Sequence, residues 1–295
     1  MPWHVALEQA SFRGHDGTRL NRYSIGPRGA PPLVISAGLG GGIRAWKRII
    51  ERFATRLRIH AWDYCGLYGS DTPSHDGRYD IASHALDLGC LLDTLELENR
   101  QPVLAGWSMG VQVTLELTRH RPELPRGIIA VHGAAGFPLR TAFDSTTPAR
   151  VSPFVFEMMR RHWQWAARPL PRAARSHTVI NTFMALCRRA GIMDNAMDPV
   201  LFHGMARDWA DLDLGAYADI FERLGEHDAS ELLPFVVAPT LVVAGGKDKF
   251  TPPHLSRRMA EQIPGAELFV APQATHFGLM EYPELIGDRI ERFLL

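Results

Sequence analysis

Gly106-Trp107-Ser108-Met109-Gly110 follows directly on the apolar run Pro102-Val103-Leu104-Ala105 and leads into Val111-Gln112-Val113-Thr114-Leu115-Glu116-Leu117. Small residues two positions either side of a serine let a strand turn sharply into a helix. The serine is then held at the apex with its hydroxyl exposed, on a backbone that larger neighbours would obstruct. The surroundings fit, with a short β-type run before the motif and a helical pattern after it. Alone, the five-residue pattern is only moderately specific, because a serine between glycines is also ordinary turn chemistry. Its weight comes from the residues that follow and their order.

Working outward, the chain opens as a β-hairpin: residues 7–13, a turn at His15-Asp16-Gly17, then residues 18–25. Apolar strands then alternate with amphipathic helices. A strand is expected over 33–36, and a helix over 44–56 with Trp46, Ile49, Ile50 and Phe53 on one side. A strand over 57–62 follows, then a helix over 80–97 with Ile81, Ala85, Leu88, Leu92 and Leu95 at helical spacing. Strands 102–105 and 127–131 flank the serine motif. After a gap come strand 240–244, helix 254–263, strand 267–270 and a closing helix over 281–294. Such alternation predicts an α/β fold: a mostly parallel central sheet with helices on both faces, carrying its chemistry on loops at the strand C-terminal ends.

The gap breaks the alternation. Residues 138–232 are rich in Trp, Phe, Met and Arg, with helix-like stretches around 153–167, 176–190, 199–209 and 214–225. We read them as a helical cap inserted into a core formed by residues 1–137 and 233–295.

Bulk composition narrows the classes of function. A chain of 295 residues with 46% hydrophobic content has ample material for a large core. Lys+Arg and Asp+Glu both total 32, so nothing indicates a nucleic-acid partner. Cys65, Cys90 and Cys187 are odd in number and widely spaced, which suits a reducing compartment and neither a disulfide framework nor a zinc site. The N-terminus has no basic patch followed by an apolar stretch, and no uncharged run approaches the ~20 residues of a membrane span. A soluble cytoplasmic protein is expected, without membrane contact. There is no His-Glu-x-x-His or Cys-x-x-Cys, and the glycines at 38–42 lack dinucleotide-loop spacing, so no metal and no cofactor is expected.

Four motifs together resemble those of the α/β-hydrolase superfamily, and the resemblance covers nearly the whole chain. They are the serine motif, Ser36-Ala37-Gly38-Leu39-Gly40-Gly41-Gly42, Asp63-Tyr64-Cys65-Gly66-Leu67-Tyr68-Gly69-Ser70-Asp71, and a late pair. The pair is Gly245-Gly246-Lys247-Asp248-Lys249-Phe250-Thr251-Pro252 with Ala274-Thr275-His276-Phe277-Gly278. A serine hydroxyl is a weak nucleophile at neutral pH, so it needs a base in hydrogen-bond reach, and the base needs an orienting carboxylate. Ser108, Asp248 and His276, each after its own strand, stand in the chain order that this fold requires. Asp211, Asp213 and Asp228 are rival acids, but they fall within the cap or its exit. By the same resemblance, the backbone N–H groups of Leu39 and Met109 form the oxyanion hole. The loop departs from the family in having Ala37 where a bracing histidine is usual. Cys65, where the family often has Arg, is read as a passive small residue.

Within the cap, the segment from Phe154 to Trp165 is unusually apolar and aromatic. Trp107, Phe156, Met159 and Trp163 are expected to line an apolar substrate pocket. Packing of the cap on the core, or an interfacial helix with Arg160, Arg161, Arg168, Arg172 and Arg175, accounts for the same pattern in other ways. The reading favoured is a serine hydrolase cleaving carboxylic esters or related acyl bonds of small, fairly apolar molecules. A carbon–carbon bond hydrolase, a haloperoxidase-like enzyme, an acyltransferase, a lyase, and a ligand receptor with an idle triad remain open alternatives, since fold does not fix function.

Overall fold

A computed structural model describes residues 7–73, 76–138 and 170–295. Eight strands form one sheet: β1 (Glu8–Arg13), β2 (Arg19–Ile25), β3 (Pro32–Ser36), β4 (Arg58–Trp62), β5 (Val103–Trp107), β6 (Gly127–Val131), β7 (Thr240–Gly245) and β8 (Glu267–Ala271). Their order is β1-β2-β4-β3-β5-β6-β7-β8. The hairpin joins through antiparallel pairings of β1 with β2 and β2 with β4, and every later pairing is parallel. This is the α/β, mostly parallel architecture that the alternation implied.

The residues explain the layers. Strands β3 to β6 are buried along their whole length, as parallel strands covered on both faces must be. Alternate side chains enter opposite cores. Leu33 and Ile35 of β3, with Val103 and Ala105 of β5, join α1 (Lys47–Phe53) and the C-terminal helix in one cluster. Val34 and Leu104 point the other way, into a cluster with α2 (Ile81–Thr94) and α3 (Met109–His120). Asp80 caps α2, accepting from the Ser83 N–H at 2.8 Å.

Two helix expectations are corrected. The segment 44–56 starts as a 3₁₀ turn, Ile43–Trp46, and becomes α-helical only over Lys47–Phe53. The closing helix expected over 281–294 starts at Pro283 and runs to Leu294, and Glu281 ends a separate short helix, Gly278–Glu281. Pro283 lacks an N–H and pushes its predecessor out of the helical region, and Tyr282 accordingly sits at φ −132°, ψ 53°.

Between β6 and β7 the described chain is helical. After a short helix at Leu170–Ala173 come α4 (His177–Arg189), α5 (Pro199–Trp209) and α6 (Leu214–Glu226), and α7 (Pro253–Gln262) follows β7. Each of the three begins on a capping side chain: Ser176, Asp198 and Asp213. The helix-like stretch 153–167, with Phe156, Met159 and Trp163, lies outside the described residues. Ile180, Met184, Leu201 and Met205 reach into the same cluster as α1, so α4 and α5 pack on the face that carries that helix. No described helix is long and apolar enough to cross a membrane.

Register sets the working rim. Trp107 pairs with Val131, and Val131 with Val243, so the C-terminal ends of β5, β6 and β7 lie side by side. The loops leaving them open onto the same edge.

Candidate active site

Ser108 links β5 to α3 at φ 55° and ψ −117°, a left-handed conformation that few non-glycine residues adopt. Its N–H donates to the Val131 carbonyl at 3.0 Å, so β6 pins the turn while the hydroxyl stays free of it. The flanking glycines are a steric necessity. A Cβ on Gly106 would sit 2.4 Å from the Gly110 carbonyl oxygen, and one on Gly110 would sit 2.0 Å from that of Ser36.

The loops after β7 and β8 bring Asp248 and His276 to that serine. His276 Nε2 lies 2.9 Å from Ser108 Oγ, and its Nδ1 lies 2.9 Å from Asp248 Oδ2. A carboxylate can only accept, which places the proton on Nδ1 and leaves Nε2 to accept from the serine hydroxyl. Asp248 is 3% exposed and fully engaged. Its Oδ1 accepts from the N–H groups of Phe250 and Thr251 at 2.8 and 2.9 Å, and Oδ2 also accepts from Thr251 Oγ1 at 2.8 Å. Burial acts to raise its pKa, but the His276 ring beside it and these hydrogen bonds outweigh that and hold the carboxyl below its ordinary value. The rival acids are occupied elsewhere. Asp211 pairs with Arg175, Asp213 caps α6, and Asp228 accepts from the Ser230 N–H.

Supporting residues that the sequence did not single out complete the frame. Glu281, 5% exposed, accepts from Thr275 N–H at 2.9 Å and Thr275 Oγ1 at 2.7 Å, immediately before His276. It also accepts from the Asp194 N–H at 2.8 Å, tying the chain between α4 and α5 to the histidine loop. Trp107, expected as a pocket residue, donates Nε1–H to the His276 carbonyl at 3.0 Å. His132 is fully buried at the end of β6 with Nδ1 4.0 Å from Asp248 Oδ2. Burial lowers its pKa to about 4, so the ring stays neutral near pH 7.

Met109 opens α3, and N–H groups of a helix's first turn have no acceptor within the helix. The Leu39 N–H enters no loop hydrogen bond among the described residues. Both belong to chain directly beside Ser108: Gly38 is packed so closely that a Cβ there would lie 3.1 Å from the Ser108 Cβ.

A cavity of about 500 Å³ opens on Ser108 and His276. Its walls include Leu39 and Trp107 from the sheet edge and Val179, Phe183, Met205 and Trp209 from α4 and α5. Among the described residues that line it there is no Asp, Glu, Lys or Arg.

Metal-type donors also gather around Asp87. Cys65, His84 and Asp87 have ligand atoms within 4.8 Å of one another, as do His15, Asp16 and Asp87. Asp87, His15 and Asp16 are already committed to neighbours. Asp87 Oδ1 accepts from His15 N–H at 2.9 Å and lies 2.7 Å from His15 Nδ1, and Arg78 pairs with Asp16. Burial pushes the Cys65 thiol up to about 12, in keeping with a passive residue.

The same arrangement of fold is found in known proteins. Over residues 31–283 the chain matches the alpha/beta hydrolase fold family. It is 22% identical over 263 residues to a pimeloyl-[acyl-carrier protein] methyl ester esterase of Vibrio vulnificus, covering 89% of this chain and 94% of that protein. An esterase from Exiguobacterium antarcticum superposes with a TM-score of 0.74 at 21% identity, covering 97% of this chain and 98% of the other. The enol-lactonase from Burkholderia xenovorans gives 0.73 at 22% identity, covering 97% and 99%. With the match running from the edge of β3 to the start of the last helix, this chain belongs to the alpha/beta hydrolase fold family.

Proposed function

We propose that this protein is a serine hydrolase that cleaves carboxylic esters, or closely related acyl bonds, of small and uncharged apolar molecules. The observation that carries the reading is the continuous relay from Ser108 Oγ to His276 Nε2 and from His276 Nδ1 to Asp248 Oδ2, each step 2.9 Å long. Ser108 attacks the substrate carbonyl as its proton passes to His276. Asp248 holds the imidazole in the required tautomer and stabilises the imidazolium. The N–H groups of Leu39 and Met109 receive the developing oxyanion, and losing one such donor typically costs about 10²–10³ in rate. His276 then returns the proton to the leaving alcohol, and a water activated by the same ring releases the acid.

The helices between β6 and β7 act in this reading as a cap over the catalytic rim, within the segment 138–232. The substrate class follows from the cavity wall. Burying an ion against Phe, Trp, Leu and Val side chains without a counter-charge is costly, whereas an acyl chain or an aromatic ring gains roughly 25 cal/mol for each Å² removed from water. Acyl transfer to an alcohol differs only in what attacks the acyl-enzyme.

Kinetics on p-nitrophenyl esters of increasing chain length test this. Activity should rise from acetate toward medium-length chains, and Ser108→Ala should lower kcat by roughly 10⁶. Retention of full esterase activity by Ser108→Ala would overturn the assignment, and a flat or inverted chain-length profile would overturn the apolar substrate class.

A further inference from the structure

An oxyanion hole works only if its donors are held still, and residue 37 of the loop carrying Leu39 is an alanine, which has no side chain able to steady it by a hydrogen bond. Ala37 stands where the family places a histidine. The hydrogen bonds of the loop show what holds it. Tyr64 Oη donates to the Ala37 carbonyl at 2.7 Å. The Gly41 N–H donates to the Gly38 carbonyl at 3.1 Å. Trp209 Nε1–H donates to the Gly40 carbonyl at 2.8 Å.

Peptide planarity turns these contacts into a linkage. The Gly40 carbonyl and the Gly41 N–H belong to one rigid peptide unit, and the Gly38 carbonyl and the Leu39 N–H belong to another. Trp209 grips the first unit by its oxygen. The first unit, through its N–H, grips the second by its oxygen. The opposite end of the second unit is the Leu39 N–H. One indole therefore fixes the oxyanion donor through a single intervening peptide.

Gly40 is shaped for this contact. Its φ is +78°, and a Cβ there would lie 2.4 Å from Trp209 Nε1. Trp209 is the last residue of α5, and that helix is fastened at both ends to the segment following the glycine loop. Asp198, its N-cap, accepts from Arg48 Nη2 at 2.6 Å, and Asp208 takes a two-point bond from Arg44, at 2.5 and 3.0 Å. Gly204 leaves room on the helix for the Arg44 side chain, since a Cβ there would fall 2.8 Å from Arg44 Cδ.

We propose that Trp209 is a positioning residue for the oxyanion hole, so that the Leu39 donor is aligned only while α5 is docked on the core. The proposal rests on the reading of Ser108 as nucleophile and of the Leu39 N–H as donor. The Trp209 ring also lines the cavity. A substrate that fills the cavity packs on the ring that holds the donor, so part of the gain from a longer acyl chain appears in kcat rather than in KM.

Trp209→Phe keeps an aromatic ring at the cavity wall but deletes the donor, together with part of the ring volume. The expected result is a roughly tenfold fall in kcat, between the cost of one neutral hydrogen bond and that of a lost oxyanion donor, with KM changed less than twofold. Affinity for an alkyl trifluoromethyl ketone, whose adduct carries the oxyanion, should weaken by a similar factor. Asp208→Asn, which weakens the half-buried pair with Arg44 and so loosens α5 while leaving the indole in place, should move both quantities in the same direction by a smaller factor and keeps the test available if the tryptophan variant fails to fold. Wild-type kcat and wild-type ketone affinity in either folded variant would overturn the proposal. So would a loss confined to KM, which would make Trp209 a wall of the pocket and nothing more. If the wild-type protein shows no Ser108-dependent ester hydrolysis, it is the catalytic reading that fails, and the latch fails with it.

Discussion

Acidification should unfold this protein earlier than its carboxylates alone would require, because three histidines are buried in neutral form. His84 and His132 are fully buried and His60 is 4% exposed. Burial is the leading cause that lowers each of them to about 4, from 6.5. Between those two values the unfolded chain takes up protons that the folded one refuses. Stability is therefore complete above about pH 6.5 and is lost as the pH falls toward 4. At pH 5 each histidine costs about 2 kcal/mol relative to neutrality, or about 6 for the three together. Asp63 works the other way. Burial raises it to about 6, so it gains a proton in the folded state and returns about 1 kcal/mol. Asp87 and Glu281, also raised by burial, offset the loss in the same direction as Asp63, which leaves a net loss of a few kcal/mol, a large share of the whole stability of many domains.

Urea titrations at pH 7 and pH 5 measure this directly. With a slope of about 3 kcal/mol/M, the midpoint should fall by roughly 1 M. His84 allows an internal check, because neither of its ring nitrogens has a hydrogen-bond partner and it packs against Tyr64 and Trp62. His84→Phe should remove about a third of the acid loss while leaving the pH 7 midpoint unchanged or higher. A midpoint that stays constant or rises between pH 7 and pH 5 would refute the reasoning.

Other outcomes follow from the same geometry. Asp248→Asn keeps an oxygen to accept from Phe250 and Thr251 but favours the wrong imidazole tautomer, so kcat on a p-nitrophenyl ester should drop by about 10⁴ with the melting temperature little changed. Gly110→Ala forces a methyl group against the Ser36 carbonyl, 2.0 Å from its oxygen, and should abolish activity and lower the melting temperature by several degrees. Glu281→Leu leaves the Thr275 donors, and the Asp194 N–H, without their acceptor. It should lower stability by about 1–3 kcal/mol and kcat more than KM, measured by urea titration alongside ester kinetics.

Local patterns carried much of this architecture. Alternating Leu33-Val34-Ile35 and Val103-Leu104-Ala105 are readable as strands because each neighbour faces a different core, and the hairpin turn at His15-Asp16-Gly17 announces itself in its residue types. The serine motif is legible because a sharp turn excludes Cβ atoms at Gly106 and Gly110. Long-range choices left no such mark. Nothing in the residues of β4 says that it lies between β2 and β3. The residues that steady the site act across great sequence distances: Tyr64 on Ala37, Glu281 on Asp194 and Trp209 on Gly40. Each looks like an ordinary core or surface residue until the chain is folded. Pro283 is the reverse case. The closing helix was expected from 281, while the proline already marked its start at 283.

Everything functional depends on Ser108 being activated by His276 rather than merely lying near it. Reaction with a fluorophosphonate probe, followed by peptide mapping in a mass spectrometer, asks this directly. The account predicts a stoichiometric adduct on Ser108, formed quickly in the wild-type protein and at least about a hundredfold more slowly in His276→Ala. Absence of label at Ser108, or labelling at the same rate without the imidazole, would contradict it.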